Sequence, residues 1–366
     1  MTNAVVLAQG AGVNLTNRNR IINGDMRIDQ RNAGAAVTLG TTPSSSYGAD
    51  RFLVEQGGVT ANSGTIQQVS DAPSGFQKSI KYTGGTATYN SQGFTAINQR
   101  IEGLNLADSD YGTASAKSFT LTFWVKASVT GTYSINFTHY DGSNERWLLQ
   151  TYTVNSANTW EQKTLTIAGD TAYGLPADNG ATGWMRVYWA LGGDSNSMQG
   201  TVTGNWVAGS GSNRAVSGQV NVATTSGATF YITGVQLEAG SVATPFEHRQ
   251  YGTELQLCQR YYTIFRCGTA YGRVLSVAVG NSSGLIRPTV QLPVRMRAAP
   301  SSVDYGGALS WYNGTASGTV SSVSIDVAND AVIGLNCSTT GASANQYYMI
   351  NDFAANTAYI GINAEL

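Results

Sequence analysis

Charged side chains are scarce in this 366-residue chain, where they make up only 12% of the residues. That is about half of the share found in ordinary globular proteins. The formal net charge is −1, and no lysine follows Lys163. Because a surface that binds nucleic acid needs clustered basic residues, this composition argues against a nucleic-acid partner. It argues equally against an acidic, disordered tail.

Long apolar runs are also missing, since no stretch approaches the roughly 18–20 residues of a membrane span. The first twenty residues, MTNAVVLAQGAGVNLTNRNR, lack the charged and then apolar segments of a secretory signal. We therefore predict no membrane insertion, and export by cell lysis or another route.

Cysteines number three, Cys258, Cys267 and Cys337, and have no zinc-knuckle spacing. We interpret them as small buried side chains.

Residues that could form an active site are few as well. A glycoside hydrolase needs two carboxylates held about 5–10 Å apart. Asp141 and Glu145 share one turn and Asp50 and Glu55 flank one strand, and we interpret all four as turn formers or surface charges. The two histidines are far apart, and no nucleophile elbow, zinc-protease motif or phosphate loop is present. We predict a protein that is not an enzyme.

Glycine, by contrast, is abundant, with 43 residues, and Ser, Thr and Asn fill the intervals between short apolar runs. Between residues 21 and 250 such runs recur about every ten residues, separated by Gly, Asn or Asp. This spacing predicts a β-sandwich or jelly roll. The run IINGDMRID, residues 21–29, is predicted as the first strand.

Two of the predicted strands alternate with the period of a half-buried strand. The side chains expected to face the core are Phe119, Leu121, Phe123 and Val125 in the first strand and Met185, Val187 and Trp189 in the second. The opposite face of the second strand carries Trp184, Arg186 and Tyr188. Each strand thus has one apolar face, and the other face places aromatic rings beside cations or hydroxyl groups.

A change from strand to helix marks the domain boundary. The segment YGTELQLCQRYYTIF follows the last sandwich strand and is predicted as a helix of about three turns. Its stripe consists of Leu255, Cys258, Tyr261 and Tyr262. So short a helix must pack against a domain or against copies of itself. New strands follow it.

The predicted fold is therefore all-β: a jelly-roll β-sandwich, a short linking helix and a second, smaller β domain. The predicted segments are an N-terminal arm (1–20), the jelly roll (21–250), the helix (251–265) and the C-terminal domain (266–366).

Candidate binding residues cluster in one hairpin, FTHYDGSNERW, and one long loop, LGGDSNSMQGTVTGNWVAGSGSNR. Sugars stack their apolar faces on aromatic rings and pair their hydroxyl groups with amides and carboxylates. The predicted glycan-binding residues are Tyr140, Asp141, Asn144, Arg146, Trp147, Asp194, Asn205 and Trp206, with Asn196 and Arg214 in the same loop. The alternative is that the two tryptophans belong to the core or to a subunit interface.

Several segments also resemble a known family. INGDMRIDQRNAG, YGADRF, TLTFWVKASVTGTY, TYTVNSANTWEQKTLTIAGDT and above all GVQLEAGSVATPFE with ELQLCQRYY are similar to bacteriophage virion proteins described as tail fibre, head fibre or minor structural proteins. The resemblance covers roughly residues 20–265. It implies a central domain similar to carbohydrate-binding jelly rolls, in a trimeric fibre or spike. Such jelly rolls often hold calcium, but Thr233 and Gly234 replace the acids, and only Asp25 remains.

We therefore expect a virion protein, made in the host cytoplasm and released outside the cell. The expected assembly is a homotrimer whose stripe Leu255–Tyr262 surrounds the three-fold axis and whose arm contacts other virion proteins. The expected ligand is a bacterial surface polysaccharide, with no cofactor. Two alternatives stay open: a glycan-degrading tailspike or esterase, and a capsid decoration protein without a ligand.

Overall fold

The computed structural model describes residues 17–41, 46–209, 214–268, 272–353 and 357–366. Most of the predicted N-terminal arm, residues 1–16, lies outside these described residues. The chain divides into two compact units, Met1–Gln250 and Tyr251–Leu366. Strands account for nearly all of the regular structure in both units, which confirms the all-β prediction.

Thirteen strands are described in the first unit, together with a 3-10 helix at Gly103–Ser109. The strands are β1 (Val37–Thr38), β2 (Ser46–Ala49), β3 (Phe52–Ala61), β4 (Thr65–Val69), β5 (Ser79–Thr83), β6 (Thr88–Glu102), β7 (Phe119–Ala127), β8 (Gly131–Tyr140), β9 (Glu145–Val154), β10 (Glu161–Ile167), β11 (Trp184–Gly193), β12 (Val207–Ala208) and β13 (Thr229–Ala239).

These strands form two antiparallel sheets that enclose one core. The order is β1-β4-β5-β13-β7-β10 in the six-stranded sheet and β12-β9-β8-β11-β6-β3-β2 in the seven-stranded sheet. Neighbours in these sheets are often distant in sequence, as where β13 pairs with both β5 and β7. This is the jelly-roll sandwich that the strand spacing predicts.

The core lies between the sheets, and the predicted alternation of side chains is confirmed. The fully buried core residues include Phe119, Leu121, Phe123 and Val125 of β7 and Met185, Val187 and Trp189 of β11, all 0% exposed. The Trp189 ring packs against Phe52 and Phe123, with ring centroids 6.4 and 5.7 Å away. Because the apolar side chains of β7 and β11 point inward, their polar neighbours must emerge on the outer faces of the sheets.

Residues 21–29, predicted as the first strand, do not form one. Asn23 and Met26 have φ angles of 59° and 58°, in the left-handed region that a regular strand does not use. The segment is nevertheless held in place, because the Val235 amide donates to the Gly24 carbonyl over 2.9 Å. Ile21 and Met26 are completely buried, so the segment belongs to the core, but the predicted strand conformation is wrong.

A bulge in β13 explains the glycine of ITGVQLE. The register to β7 shifts between Thr233 and Gln236, and Gly234 has a φ angle of 60°. A β-carbon at this position would lie 2.7 Å from the ring of Phe76 and 2.9 Å from that of Trp124. Both the backbone conformation and the close approach of the rings therefore require glycine here.

The second unit begins with helix α1 (Tyr251–Gln259) and continues with strands only. The strands are β14 (Tyr262–Arg266), β15 (Arg273–Ser282), β16 (Leu285–Gln291), β17 (Ser302–Gly306), β18 (Leu309–Tyr312), β19 (Ser317–Ala328), β20 (Val332–Thr339), β21 (Tyr347–Asp352) and β22 (Tyr359–Asn363). Six of them form a closed barrel in the order β15-β16-β20-β19-β18-β21, and β14-β22-β17 form a separate sheet. This is the predicted second, smaller β domain.

The helix is shorter than the predicted 251–265. It ends at Gln259, and the residues from Tyr262 onward form a strand that pairs with β22. The physical reason is that Thr263, Ile264 and Phe265 are β-branched or aromatic, and such residues favour strands over helices. In the described segments, no helix has the length and apolar character needed to cross a membrane.

The predicted trimer-interface residues occupy different environments. Cys258, Tyr261 and Tyr262 are 0–1% exposed in the single chain, and Leu255 is half-buried. The Tyr262 hydroxyl donates to Asp304 over 2.8 Å. One chain therefore already buries three of the four side chains, and their role at a three-fold axis stays a prediction.

Candidate functional site

The outer face of the seven-stranded sheet carries an unusual concentration of aromatic rings and ionic groups. The register places Tyr140 of β8 opposite Trp184 of β11, and Arg186 of β11 opposite Arg100 of β6. We call this surface the aromatic–arginine face and define it by Tyr140, Trp184, Arg186, Arg100, Glu55 and Glu145. It therefore draws side chains from five neighbouring strands, β9, β8, β11, β6 and β3.

Two rings form the aromatic part of the face. The rings of Tyr140 and Trp184 stack with centroids 5.6 Å apart and planes 29° apart. The guanidinium groups of Arg100 and Arg186 lie 5.0 and 5.7 Å from the Trp184 ring, within range of cation–π attraction. Both rings are half-buried, so part of each remains open to solvent.

The ionic part of the face is centred on Arg186. Its Nη1 lies 3.1 Å from Oε2 of Glu55, and its Nη2 lies 3.6 Å from Oε1 of Glu145. The Asn98 amide also donates to Glu55 over 2.9 Å. The arginine side chain is 6% exposed, whereas the two glutamates are 24% and 41% exposed. The result is a fixed cation with carboxylates on either side, all of which have hydrogen-bonding capacity for a polar ligand.

Desolvation also affects the second arginine. Burial, and next the charge of nearby Arg186, lower the pKa of Arg100 from its ordinary value. Two cations are thus held close together on this face, and the carboxylates of Glu55 and Glu145 balance them. The net charge of the aromatic–arginine face is therefore about zero.

Of the predicted glycan-binding residues, Tyr140 lies on this face, and Asp141 and Asn144 lie in the hairpin turn beside it. The Asp141 carboxylate accepts the amides of Ser143 and Asn144 over 2.9 and 2.6 Å. Partial burial raises the pKa of Asp141, but the hydrogen bonds from Asn144 and Ser143 outweigh it and the pKa is lowered overall. Asp141 thus closes the turn, which is the role that its interpretation as a turn former gives it.

The two predicted tryptophans are buried in separate places. Trp147 is 4% exposed and pairs with Val207 of β12. Trp206 is 6% exposed, belongs to the main core and donates its indole N–H to the Ala168 carbonyl over 2.7 Å. Arg146 lies beside it, because its Nη2 donates to the Trp206 carbonyl over 2.7 Å. Their proposed contact with a glycan stays a prediction, and their positions favour a packing role.

The long loop after β11 contains the remaining candidates. Asp194 accepts the Ser197 amide over 3.0 Å, and Asn205 is exposed. Arg214 lies 3.8 Å above the Phe94 ring. Because Phe94 is on β6, the Arg214 side chain covers the Phe94 end of the outer face. Residues 210–213 of this loop lie outside the described residues.

A second ionic cluster is buried at one edge of the core. His139 Nε2 and Arg146 Nε lie 2.9 and 3.0 Å from the same oxygen of Asp170. The rings of Trp206 and Tyr111 enclose the imidazole, with centroids at 4.8 and 5.5 Å. The imidazole donates from Nε2, and Nδ1 has no hydrogen-bond partner among the described residues. Protonation at Nδ1 would therefore create a buried donor without an acceptor.

This arrangement makes stability depend on pH. Burial, opposed by the contact with Asp170, lowers the pKa of His139 below its ordinary value of 6.5. Below pH 6.5 the unfolded chain therefore binds a proton that the folded protein resists. We expect the free energy of unfolding to be highest above pH 6.5 and to fall below it, with a slope of at most about 1.4 kcal/mol per pH unit. Urea titrations between pH 8 and pH 5 measure this slope.

The chain provides its own control, because its second histidine, His248, is exposed. His139→Gln is expected to flatten the profile above pH 5, and His248→Gln is expected to leave it unchanged. Equal slopes in the wild type and His139→Gln would contradict the assignment.

The structure also shows the surroundings of the metal and thiol candidates. Asp25 forms an ion pair with Arg27. Within the described ranges, no group of three His, Cys, Asp or Glu side chains is placed to hold a metal ion. The three cysteines are buried, and burial raises the pKa of the Cys337 thiol to about 12.

Most of the aromatic–arginine face is not indicated by the sequence alone. The alternation in GWMRVYWAL did place Trp184, Arg186 and Tyr188 together, opposite the core. Arg100 and Glu55 come from strands that precede β11 by roughly 85 and 130 positions in the chain. Only the pairing of β3, β6 and β11 brings them close to Arg186, and no local sequence motif predicts this pairing.

Comparisons with known proteins give structural likenesses only. No protein-family model and no curated protein sequence matches the chain. A solved structure of the enzymatically active domain of bacteriophage CBA120 tailspike protein 4 is 13% identical, with a TM-score of 0.31 over 61% of this chain and 21% of that one. A CBM4 structure is 15% identical, with a TM-score of 0.28 over 59% of this chain and 97% of its own. A proposed sugar-binding protein of Bacteroides thetaiotaomicron is 13% identical, with a TM-score of 0.33 over 60% of this chain and 99% of its own.

All three TM-scores are below 0.5, so these likenesses carry no argument about function. The chain spans about one fifth of the tailspike chain that it matches.

Proposed function

We propose that the first unit is a non-catalytic carbohydrate-binding domain that binds its glycan on the aromatic–arginine face. The observation that carries the proposal is the half-buried Tyr140–Trp184 stack beside an arginine that bridges two carboxylates. Aromatic rings offer a platform for the apolar faces of sugar rings, and guanidinium and carboxylate groups pair with sugar hydroxyls. The face thus offers both stacking and hydrogen bonding to a glycan.

The charge balance of the face indicates what kind of glycan it binds. Arg100 and Arg186 supply two positive charges, and Glu55 and Glu145 supply two negative ones. An acidic sugar would gain little net attraction there and would approach two carboxylates. A neutral sugar, rich in hydroxyl groups, fits both the rings and the alternating donors and acceptors.

At the level of the whole chain, we propose a homotrimeric structural fibre or spike of a virion that attaches to bacterial surface polysaccharide. The support is the resemblance of residues 20–265 to phage fibre and minor structural proteins, and the low content of charged residues, 12%, which suits a subunit interface. The arm at residues 1–20 would contact other virion proteins. Three weak sugar sites on one trimer gain avidity without strong single contacts.

The test is loss of glycan binding when the platform is removed. Trp184→Ala is expected to weaken binding of neutral bacterial glycans at least about 10-fold, because stacking on an anchor tryptophan contributes more than about 1.4 kcal/mol. A glycan array identifies the ligand, and calorimetry on the full chain measures the affinity. Light scattering on the same sample records the oligomeric state, where a monomer would overturn the trimer.

A matched control is Tyr251→Ala, which removes an aromatic ring that is 56% exposed in the second unit. Its binding is expected to equal that of the wild type. Wild-type affinity in Trp184→Ala would show that the glycan binds elsewhere. Shortening of the bound glycan would instead support the hydrolase alternative, since Glu55 and Glu145 share this face, and Glu55→Gln would then stop the reaction.

A further inference from the structure

The outer face of the other sheet carries a row of alternating aromatic and cationic side chains. The register of the six-stranded sheet places Lys81 of β5 opposite Tyr231 of β13, and Tyr231 opposite Lys126 of β7. Trp160 precedes β10 directly and lies at the far side of Lys126. We call these four residues the lysine–aromatic row. Their neighbours Ile80, Phe230, Ile232 and Val125 are core residues, so the row points away from the core.

The row has a fixed geometry. The Lys126 ammonium lies 4.3 Å from the Tyr231 ring and 5.3 Å from the Trp160 ring, and the two rings meet edge to face at 6.1 Å. Asp71 holds this arrangement, because it forms an ion pair with Lys126 and accepts the Trp160 indole N–H over 3.2 Å. The hydrogen bond from Lys126 is the main reason that the pKa of Asp71 is lowered. The half-buried rings of Trp160 and Tyr231 are thus fixed in position on the outer face of the six-stranded sheet.

Charge distinguishes this row from the aromatic–arginine face. Asp71 neutralises Lys126, but Lys81 forms no ion pair with any described residue. Lys81 is half-buried, and its ammonium lies 5.7 Å from the Tyr231 ring. The chain has only five lysines, and two of them belong to this row. Asp71 also attracts Lys81 through its charge, but two lysines and one aspartate leave a net charge of +1 beside the aromatic rings.

We propose that the lysine–aromatic row is a second glycan-binding surface, selective for sugars that carry a carboxylate. The sugar ring stacks on Trp160 and Tyr231, and its carboxylate pairs with the Lys81 ammonium. Lys126 and Asp71 act as positioning residues that hold the two rings. A nucleic acid is the poorer occupant, because a single net positive charge neutralises too few phosphates. This site is separate from the aromatic–arginine face, and its test does not depend on the function of that face.

The experiment measures binding of the full chain to four acidic probes at low salt: oligogalacturonate, oligoalginate, hyaluronate oligomers and oligosialate. The carboxyl-reduced form of each probe, which keeps the backbone and removes the charge, is measured beside it. The wild type is expected to bind at least one acidic probe, at least about 10-fold more tightly than the reduced form, and to lose affinity in 0.5 M salt. Failure to bind any of the four probes overturns the proposal.

Variants locate the site. Lys81→Gln and Trp160→Ala are each expected to weaken the acidic probe about 10-fold or more. Trp160→Tyr keeps an aromatic ring and is expected to restore most of the affinity, which separates stacking from a folding defect. Lys117→Gln is the matched control, because it removes the same charge from a side chain that is 46% exposed and lies outside the row.

Each remaining outcome is decisive. Equal losses in Lys81→Gln and Lys117→Gln would show unspecific attraction and overturn the proposal. Loss of the acidic probe in Trp184→Ala would place it on the aromatic–arginine face and overturn the second site alone. Single-stranded DNA that binds as tightly as the sugar, and depends on Lys81, would show an unselective anion surface and would also overturn it. If Trp184→Ala kept its binding of the neutral glycan, the proposed function would be overturned, and the result for the acidic probe would stand.

Discussion

Replacement of Asp170 by alanine is expected to lower the free energy of unfolding of the first unit by about 3–5 kcal/mol. The Asp170 carboxylate is 3% exposed and accepts hydrogen bonds from His139, Arg146 and the Ala172 amide. Without it, the Arg146 guanidinium, 14% exposed, keeps only the Trp206 carbonyl as a hydrogen-bond acceptor among the described residues. A buried charge that loses its partner costs far more than the pair contributes when intact. Urea unfolding followed by tryptophan fluorescence measures the change.

The matched control is Asp108→Ala, which removes a carboxylate of similar ion-pair geometry at the surface. Asp108 lies 2.7 Å from Arg20 and is 48% exposed. Because water solvates both partners, its loss is expected to cost less than about 1 kcal/mol. If the two variants lost the same small amount, the buried cluster would contribute no more than a surface pair. Asp170→Asn is expected to fall between the wild type and Asp170→Ala, since it keeps the shape and removes the charge.

The fold was predictable where one physical signal dominated. In β7 and β11 every second residue is apolar, and a strand with one buried side has no other way to arrange such a pattern. The burial of Phe123, Met185 and Trp189 follows directly. Turn residues at regular intervals then limited the architecture to a sandwich.

Prediction failed where two signals competed. In RYYTIF the tyrosines complete a helical stripe, but Thr263 and Ile264 favour a strand. Pairing with β22 stabilises the strand, and the helix ends before it. In IINGDMRID the apolar residues are buried as expected, yet left-handed conformations at Asn23 and Met26 prevent a ladder. Local sequence does not predict a left-handed backbone conformation at a methionine, as it can at a glycine.

The candidate site was predictable only strand by strand. Trp184 and Arg186 share a face because they are two residues apart. Their contacts with Tyr140, Arg100 and Glu55 depend on the order of strands in the sheet, which alternation does not determine. For the same reason, the hairpin and loop tryptophans, chosen for their neighbours in sequence, are buried instead. Outer-face positions of adjacent strands, read in register, are the better source of candidates in a sandwich.

Replacement of Arg186 by methionine is expected to weaken binding of the neutral glycan about 30-fold or more. Arg186 joins the two halves of the face, since it pairs with Glu55 and Glu145 and lies 5.7 Å from the Trp184 ring. Methionine keeps the apolar stem but leaves two carboxylates without their common cation, so that both lose their orientation. Calorimetry with the glycan identified on the array measures the loss.

Stability separates a binding role from a structural one. Glu55 and Glu145 are 24% and 41% exposed, so water can solvate them once Arg186 is gone, and the expected cost in unfolding free energy is about 1–2 kcal/mol. Arg186→Lys is expected to recover part of the affinity, because an ammonium group keeps the charge but cannot bridge both carboxylates with a planar fork. Arg295→Met, which removes an arginine 73% exposed in the second unit, is the control and is expected to bind as the wild type does. Unchanged affinity in Arg186→Met, together with reduced stability, would assign the arginine to the fold and remove the ionic half of the proposed site.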